Sequence, residues 1–344
     1  MIETINLTKK YGDFTALDNL NLAINKGDCF GFIGPNGAGK TTTIKILATL
    51  LKPSSGQAMI DGLTVGYQNR QIRPIIGYVP DFMGAYTDMV VIEYLEFFAA
   101  CYGIHGKKRK QVVQDVLGLT DLNYKATAEV NSLSRGMQQR LSVARVLLHD
   151  PKVLLMDEPA SGLDPRARVE MRELLKELKR MGKTIIISSH ILPELAEMCN
   201  TVGIIERGRL LFSGNVNEAV RRAKMGQVVQ VAVTGRHQQA AELLAKLPGV
   251  SKVQINEGQG PVMGGVTLPL IQVNFEGASP AGGAAAGGGG GAIAVSNGAA
   301  TAARVDLSDI PNILINNGFR LAQFTEEAVN LETAFMRLTK GLVQ

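Results

Sequence analysis

The chain has 344 residues, 45% of them hydrophobic, which is enough apolar side chain for a sizeable core and enough length for two domains. That composition excludes wholesale disorder. Its 36 Lys and Arg against 31 Asp and Glu leave a net charge of +5, a weak bias. With no tryptophan and few interleaved aromatics, the sequence announces no base-stacking surface, and no nucleic-acid partner is expected.

The N-terminus, Met1-Ile2-Glu3-Thr4-Ile5-Asn6, has no signal-peptide core. No uncharged apolar run approaches the ~20 residues of a membrane span. Three cysteines, Cys29, Cys101 and Cys199, have neither metal-ligand spacing nor an even count, and read as buried, inert thiols of a reducing compartment. A cytoplasmic protein is expected.

Residues 1–28 read as antiparallel strands, with Leu20, Leu22 and Ile24 alternating against Asn19, Asn21 and Asn25. Tyr11 falls in the turn between two of them. Cys29 to Ile33 is a short apolar run, a buried strand. It leads into Gly34-Pro35-Asn36-Gly37-Ala38-Gly39-Lys40-Thr41, which fits the phosphate-binding pattern of Gly, four residues, then Gly-Lys-Ser/Thr. Thr42 to Leu51 follows with Ile44, Leu47, Ala48 and Leu51 at helical spacing. In this context the glycines let successive amide N–H groups curl around an anion, toward which the helix points its positive end. Lys40 then reaches the β- and γ-phosphates, and Thr41 offers its hydroxyl to Mg²⁺.

Further strands are expected at 57–60 and 75–79, the second ending at Pro80-Asp81. From Asp88 to about Arg145 the pattern is helical, with Lys107-Lys108-Arg109-Lys110 as a solvated loop. Two apolar runs, 153–156 and 184–187, flank a charged helix with Asp164 at its N-cap and Pro165 at its first position. Buried parallel strands joined by helical crossovers are the natural reading. Near residue 220 the pattern resets to strand 228–233, helix 236–247, strands 251–256 and 268–275, helix 310–315, strand 319–324 and a final helix 331–338. This βαββαβ order suits a small ferredoxin-like domain. Residues 277–302, dominated by Gly and Ala, read as a flexible insert.

The end of the strand at 153–156 supplies Asp157 to hold Mg²⁺ and Glu158 to polarise the attacking water. Three more motifs carry a family resemblance. Leu133-Ser134-Arg135-Gly136-Met137-Gln138-Gln139-Arg140 resembles the Leu-Ser-Gly-Gly-Gln signature of ABC-type ATPases. Ser161-Gly162-Leu163-Asp164 resembles their D-loop, and Ser188-Ser189-His190 their switch histidine. The resemblance covers residues 1 to about 220.

It implies an α/β fold: a P-loop ABC ATPase core (1–220) with an antiparallel β subdomain and a helical subdomain (about 84–145). The small α+β domain (221–344) would follow. It further implies a head-to-tail homodimer with two ATPs at the interface. Each ATP would lie on the loop from Gly34 to Thr42 and on Asp157, and meet Ser134, Arg135 and Gly136 of the second copy. Its adenine would stack on Tyr11, His190 would hydrogen-bond its γ-phosphate, and Asp164 would link the two sites. Glu158 and His190 are then the catalytic pair. Two departures stand out: Asp81 where the family has glutamine, and Arg135-Gly136-Met137 where it has Gly-Gly-Gln. Asp81 is expected to reach Mg²⁺ through a water, the alternative being a cap on the next helix. Both variants, and the 331–339 segment, resemble the exporter branch that pairs with a separate multi-span membrane permease, which would hold the chain on the inner face of the cell membrane. The other readings are a soluble ABC ATPase working on ribosomes or DNA, and an importer ATPase.

Overall fold

Apolar side chains on both faces of a short strand require cover on both sides, and three such strands form the middle of the larger of two units. The computed structural model describes residues 1–82, 84, 89–189, 192–223, 228–258, 260–263, 265–275 and 306–326. These divide into two units between Ala219 and Val220, within the last helix that begins in the larger unit. In the larger unit the order is β1 (Ile2–Tyr11), β2 (Phe14–Ile24), β3 (Cys29–Ile33), α1 (Lys40–Leu47), β4 (Ser55–Ile60), β5 (Leu63–Thr64), α2 (Asn69–Ile72) and β6 (Ile76–Val79). Then come α3 (Val91–Cys101), α4 (Gly106–Leu119), α5 (Arg135–Leu147), β7 (Val153–Asp157), α6 (Pro165–Arg180), β8 (Thr184–Ser189), α7 (Leu192–Met198), β9 (Thr201–Glu206), β10 (Arg209–Asn215) and α8 (Val216–Ala223).

Six strands form one sheet in the order β10-β9-β3-β8-β7-β6, parallel except for β10. Residues on β3, β7 and β8 are buried throughout. Their side chains alternate between two cores. Phe30, Phe32, Val153, Leu155 and Ile186 pack with α1 and the antiparallel sheet β2-β1-β4-β5. Ile33, Leu154, Met156, Ile185 and Ile187 pack on the other face with side chains of α3 to α6. Phosphate loop and helix α1 are thereby clamped between two sheets.

Sequence reading missed the hairpin β9–β10, which completes the large sheet. Its turn, Arg207-Gly208, has φ of +46° and +78°, the left-handed pair that a tight hairpin demands. The run Lys107–Lys110 is helical rather than a loop, because Val113, Val116 and Leu117 give α4 an apolar face that draws the polar first turns into register. Of the three thiols expected to be buried, one differs. Cys101 is exposed, while Cys29 and Cys199 are buried together with their sulfurs 3.6 Å apart. Cys199 Sγ rests over Gly31, where a Cβ would come within 3.2 Å.

Arg140 of α5 is buried and ties the helices together. It donates to the carbonyls of Thr120 and Asp121 at 3.0 and 3.1 Å and pairs with Glu170 of α6 at 3.2 Å. Arg140→Met leaves the buried Thr120 carbonyl without this donor and Glu170 without this cation, and should cost about 2–3 kcal/mol. Chemical denaturation of the full chain would show it, and an unchanged midpoint would remove Arg140 from the stability of the helical region.

The smaller unit contains β11 (Val228–Val233), α9 (His237–Ala245), β12 (Val250–Asn256), a two-residue-strand hairpin β13 (Val262–Met263) and β14 (Val266–Thr267), then β15 (Leu270–Phe275), α10 (Ile310–Asn316) and β16 (Leu321–Glu326). Its main sheet runs β12-β15-β11-β16, antiparallel throughout. Ala240, Leu244, Ile310 and Leu314 cover Val229, Val231, Ile271 and Val273 in a core of their own. The last strand starts at Leu321 rather than 319, because Gly318 turns the chain at φ +76° and Phe319 packs inward. The insert at 277–302 and the helix at 331–338 lie outside the described residues.

Candidate functional site

Parallel order places the C-terminal ends of β3, β7 and β8 side by side, and the functional residues follow those ends. Ile33 is in register with Ser189, and Asp157 with Ser188. Directly after β3 the loop folds over the sheet edge. Gly39, at φ +110°, has no room for a side chain: a Cβ would lie 2.6 Å from Leu17 Cδ2 and 2.8 Å from the Ala16 carbonyl. Lys40, the first residue of α1, is only 5% exposed, and its Nζ donates to the carbonyls of Gly34 at 2.7 Å and Pro35 at 3.2 Å. The same ammonium lies 3.5 Å from Glu158 Oε1. A buried cation is thus held at the mouth of an N–H-rich loop, an arrangement suited to phosphate.

Thr41 and Ser188 both donate to Asp157 Oδ1, at 3.0 and 2.7 Å. The Glu158 N–H donates to Ser188 Oγ at 3.0 Å. Glu158 itself takes a left-handed φ of +50°, which swings its carboxylate from the strand direction toward Lys40. Lys40, Thr41, Asp157 and Glu158 open onto a cleft of 680 Å³ lined by residues 35–42 together with Tyr11, Asp81 and Ser161. Thr41, Asp157 and Ser188 form a set of hard oxygens. Among the described residues no three His, Cys, Asp or Glu side chains converge on a metal. One carboxylate and one hydroxyl suit Mg²⁺, which draws the rest of its shell from phosphate and water.

Tyr11 is the last residue of β1, paired across the hairpin with Phe14, and both exposed rings line the cleft. Phe14 escaped the sequence reading; an aromatic on each side of the Gly12-Asp13 turn was the available signal. Tyr78, also unforeseen, lines the same cleft. Burial and the nearby carboxylates of Asp157 and Asp81 push its phenol up to about 12, so it stays a neutral donor at physiological pH.

Ser134, Arg135, Gly136 and Asp164 stand outside the cleft lining. Ser134 caps α5, accepting from the Met137 N–H at 3.4 Å. Gly136 is buried against α6, where a Cβ would meet Ala167 Cβ at 2.6 Å. Asp164 caps α6, accepting from the Ala167 N–H at 2.9 Å. Among the described residues Asp81 caps no helix: the next described helix, α3, begins at Val91 behind Val90. Its carboxylate lies 3.6 Å from the Arg135 guanidinium instead. His190 falls outside the described residues.

Comparison with known proteins agrees with this geometry. The family profile described as ABC transporter matches residues 17–161. The chain is 40% identical over 231 residues to Nod factor export ATP-binding protein I of Cupriavidus metallidurans, covering 67% of this chain and 76% of that protein. It is 32% identical over 260 residues to the linearmycin resistance ATP-binding protein of Bacillus subtilis, covering 75% and 83%. Among solved structures, a dimeric ATP-binding cassette in a post-hydrolysis state with ADP and phosphate matches at 28% identity and a TM-score of 0.58, covering 62% of this chain and 98% of that one. These relatives are export and resistance ATPases, which sets aside a ribosomal or DNA-directed role. The chain belongs to the ABC transporter family and is an ATP-binding, ATP-hydrolysing subunit of the exporter type.

Proposed function

We propose that this chain drives export through a separate multi-span membrane permease, working as a head-to-tail homodimer with Mg-ATP at the interface. The observation that carries the site assignment is the meeting of Lys40, Thr41, Asp157 and Glu158 at three adjacent strand ends. Lys40 and the amides of the loop from Gly34 to Thr42 bind the β- and γ-phosphates. Thr41 and Asp157 would hold Mg²⁺, which when bound neutralises charge on the phosphate oxygens. Glu158 orients and accepts a proton from the attacking water. Tyr11 stacks on the adenine, with Phe14 beside it.

Ser134, Arg135 and Gly136 sit outside their own chain's cleft, which fits a role on the ATP of the second copy. Asp164 and His190 are proposed to link the two sites and to contact the γ-phosphate, as the family pattern implies. Residues beyond Val220 form a ferredoxin-like accessory domain on this reading, supported by the one-sided helix cover and the sheet order β12-β15-β11-β16. Among the described residues no helix is long and apolar enough to cross a membrane. On this reading the permease holds the chain at the inner face.

Purifying the tagged full chain from gently solubilised membranes tests this. A multi-span membrane protein should co-elute at a stoichiometry near one permease assembly per ATPase pair. Recovery of the chain free of membrane protein, with full ATPase activity and no detergent-dependent partner, would argue against it.

A further inference from the structure

Two of the positions that depart from the family pattern, Asp81 and Arg135, are partners in space. Arg135 opens α5 and its Nη2 lies 3.6 Å from Asp81 Oδ1. On its other side the guanidinium rests on Gly162, where a Cβ would come within 2.6 Å of Cζ and Nη1. That glycine holds φ +66°, so two constraints keep a side chain away from the spot the guanidinium fills. One turn further along α5, Gln139 Nε2 lies 3.5 Å from the Pro80 carbonyl. Pro80 and Asp81 line one wall of the nucleotide cleft, and Ser161, the neighbour of Gly162, lines another. A single guanidinium therefore bridges two wall segments from outside the cleft.

Stability gives this pair little to do. The side chains are 57% and 53% exposed, and ion pairs so open to water contribute almost nothing to folding. A carboxylate and a guanidinium fixed between two walls of the site have more leverage on geometry, where sub-ångström displacement of reacting groups changes rates strongly. We propose that Arg135 is a positioning residue, which uses Asp81 as its counter-charge to hold the Pro80-Asp81 and Ser161-Gly162 segments at a fixed separation around bound nucleotide. The role presupposes the ATPase function proposed above. It assigns the Asp81 carboxylate to Arg135 rather than to the metal.

Charge exchange in the full chain tests this. Asp81→Arg and Arg135→Asp each place like charges together and should lower kcat about tenfold, the scale of a modest positioning defect. The melting temperature should hardly change, and the loss in kcat should exceed any change in affinity for a fluorescent ATP analogue. The double exchange restores opposite charges but leaves Gly162 uncovered, so it should recover part of the lost kcat, a coupling that a merely structural role would not produce. A double variant no better than the worse single variant overturns the proposal. So does an Asp81→Asn variant that raises the Mg²⁺ requirement while Arg135→Gln leaves kcat untouched, since Asp81 then serves the metal. Failure of the underlying ATPase reading looks different: the unaltered chain would neither bind the analogue nor turn over ATP.

Discussion

Glu158→Gln should bind ATP as the unaltered chain does yet hydrolyse it roughly 10²-fold more slowly or worse, the scale of lost general-base assistance. The substitution keeps the shape of a side chain that faces Lys40 at 3.5 Å and stands beside Asp157. It removes only the capacity to take a proton. Because separation of the proposed homodimer follows hydrolysis, the variant should also accumulate as an ATP-bound pair. Size-exclusion chromatography with Mg-ATP reads the second effect and a phosphate-release assay the first. A variant that stays monomeric and turns over at the normal rate would take Glu158 out of the chemistry.

Lys40→Ala should weaken ATP binding by about 10²-fold, because a charged hydrogen bond to phosphate contributes on the order of 1.5–3 kcal/mol. The ammonium is already desolvated and donates to the Gly34 and Pro35 carbonyls, so contact with phosphate exchanges such a bond for a charged one. Lys40→Arg should rescue poorly. A planar guanidinium does not fit the narrow space between two backbone carbonyls that accept a compact ammonium. Calorimetric titration with ATP measures both, and near-normal affinity in the Ala variant would shift phosphate recognition entirely to the loop amides.

Much of this site was legible because its chemistry is local in sequence. The loop from Gly34 to Thr41 and the Asp157-Glu158 pair each announce themselves within a few residues, flanked by strands whose apolar runs are plain. Parallel pairing of β3, β7 and β8 then brings them together without further instruction. What stayed hidden depends on residues far apart in the chain. Ser188 gives no signal of its own until the register sets it against Asp157. Phe14 and Tyr78 look like ordinary strand aromatics until the two sheets close over the loop. The cysteines offered only their spacing, which says nothing about a strand and a helix end 170 residues apart meeting in one core. Asp81 was read against its immediate successors as a metal contact or a cap. Its partner came instead from the start of α5, a contact no local pattern encodes.

The strands β3, β7 and β8 alternate side chains between two cores, and that has a bearing on how the larger unit comes apart. Opening either core strips cover from strands that the other core also needs, so neither can melt alone without exposing the shared sheet to water. Partial unfolding is therefore penalised from both sides, and the two layers behave as one cooperative unit. Amide protons on β3, β7 and β8 should exchange only through global unfolding, at a common rate. The smaller unit shares none of these strands and has a separate core, so its slowest amides report a different opening energy.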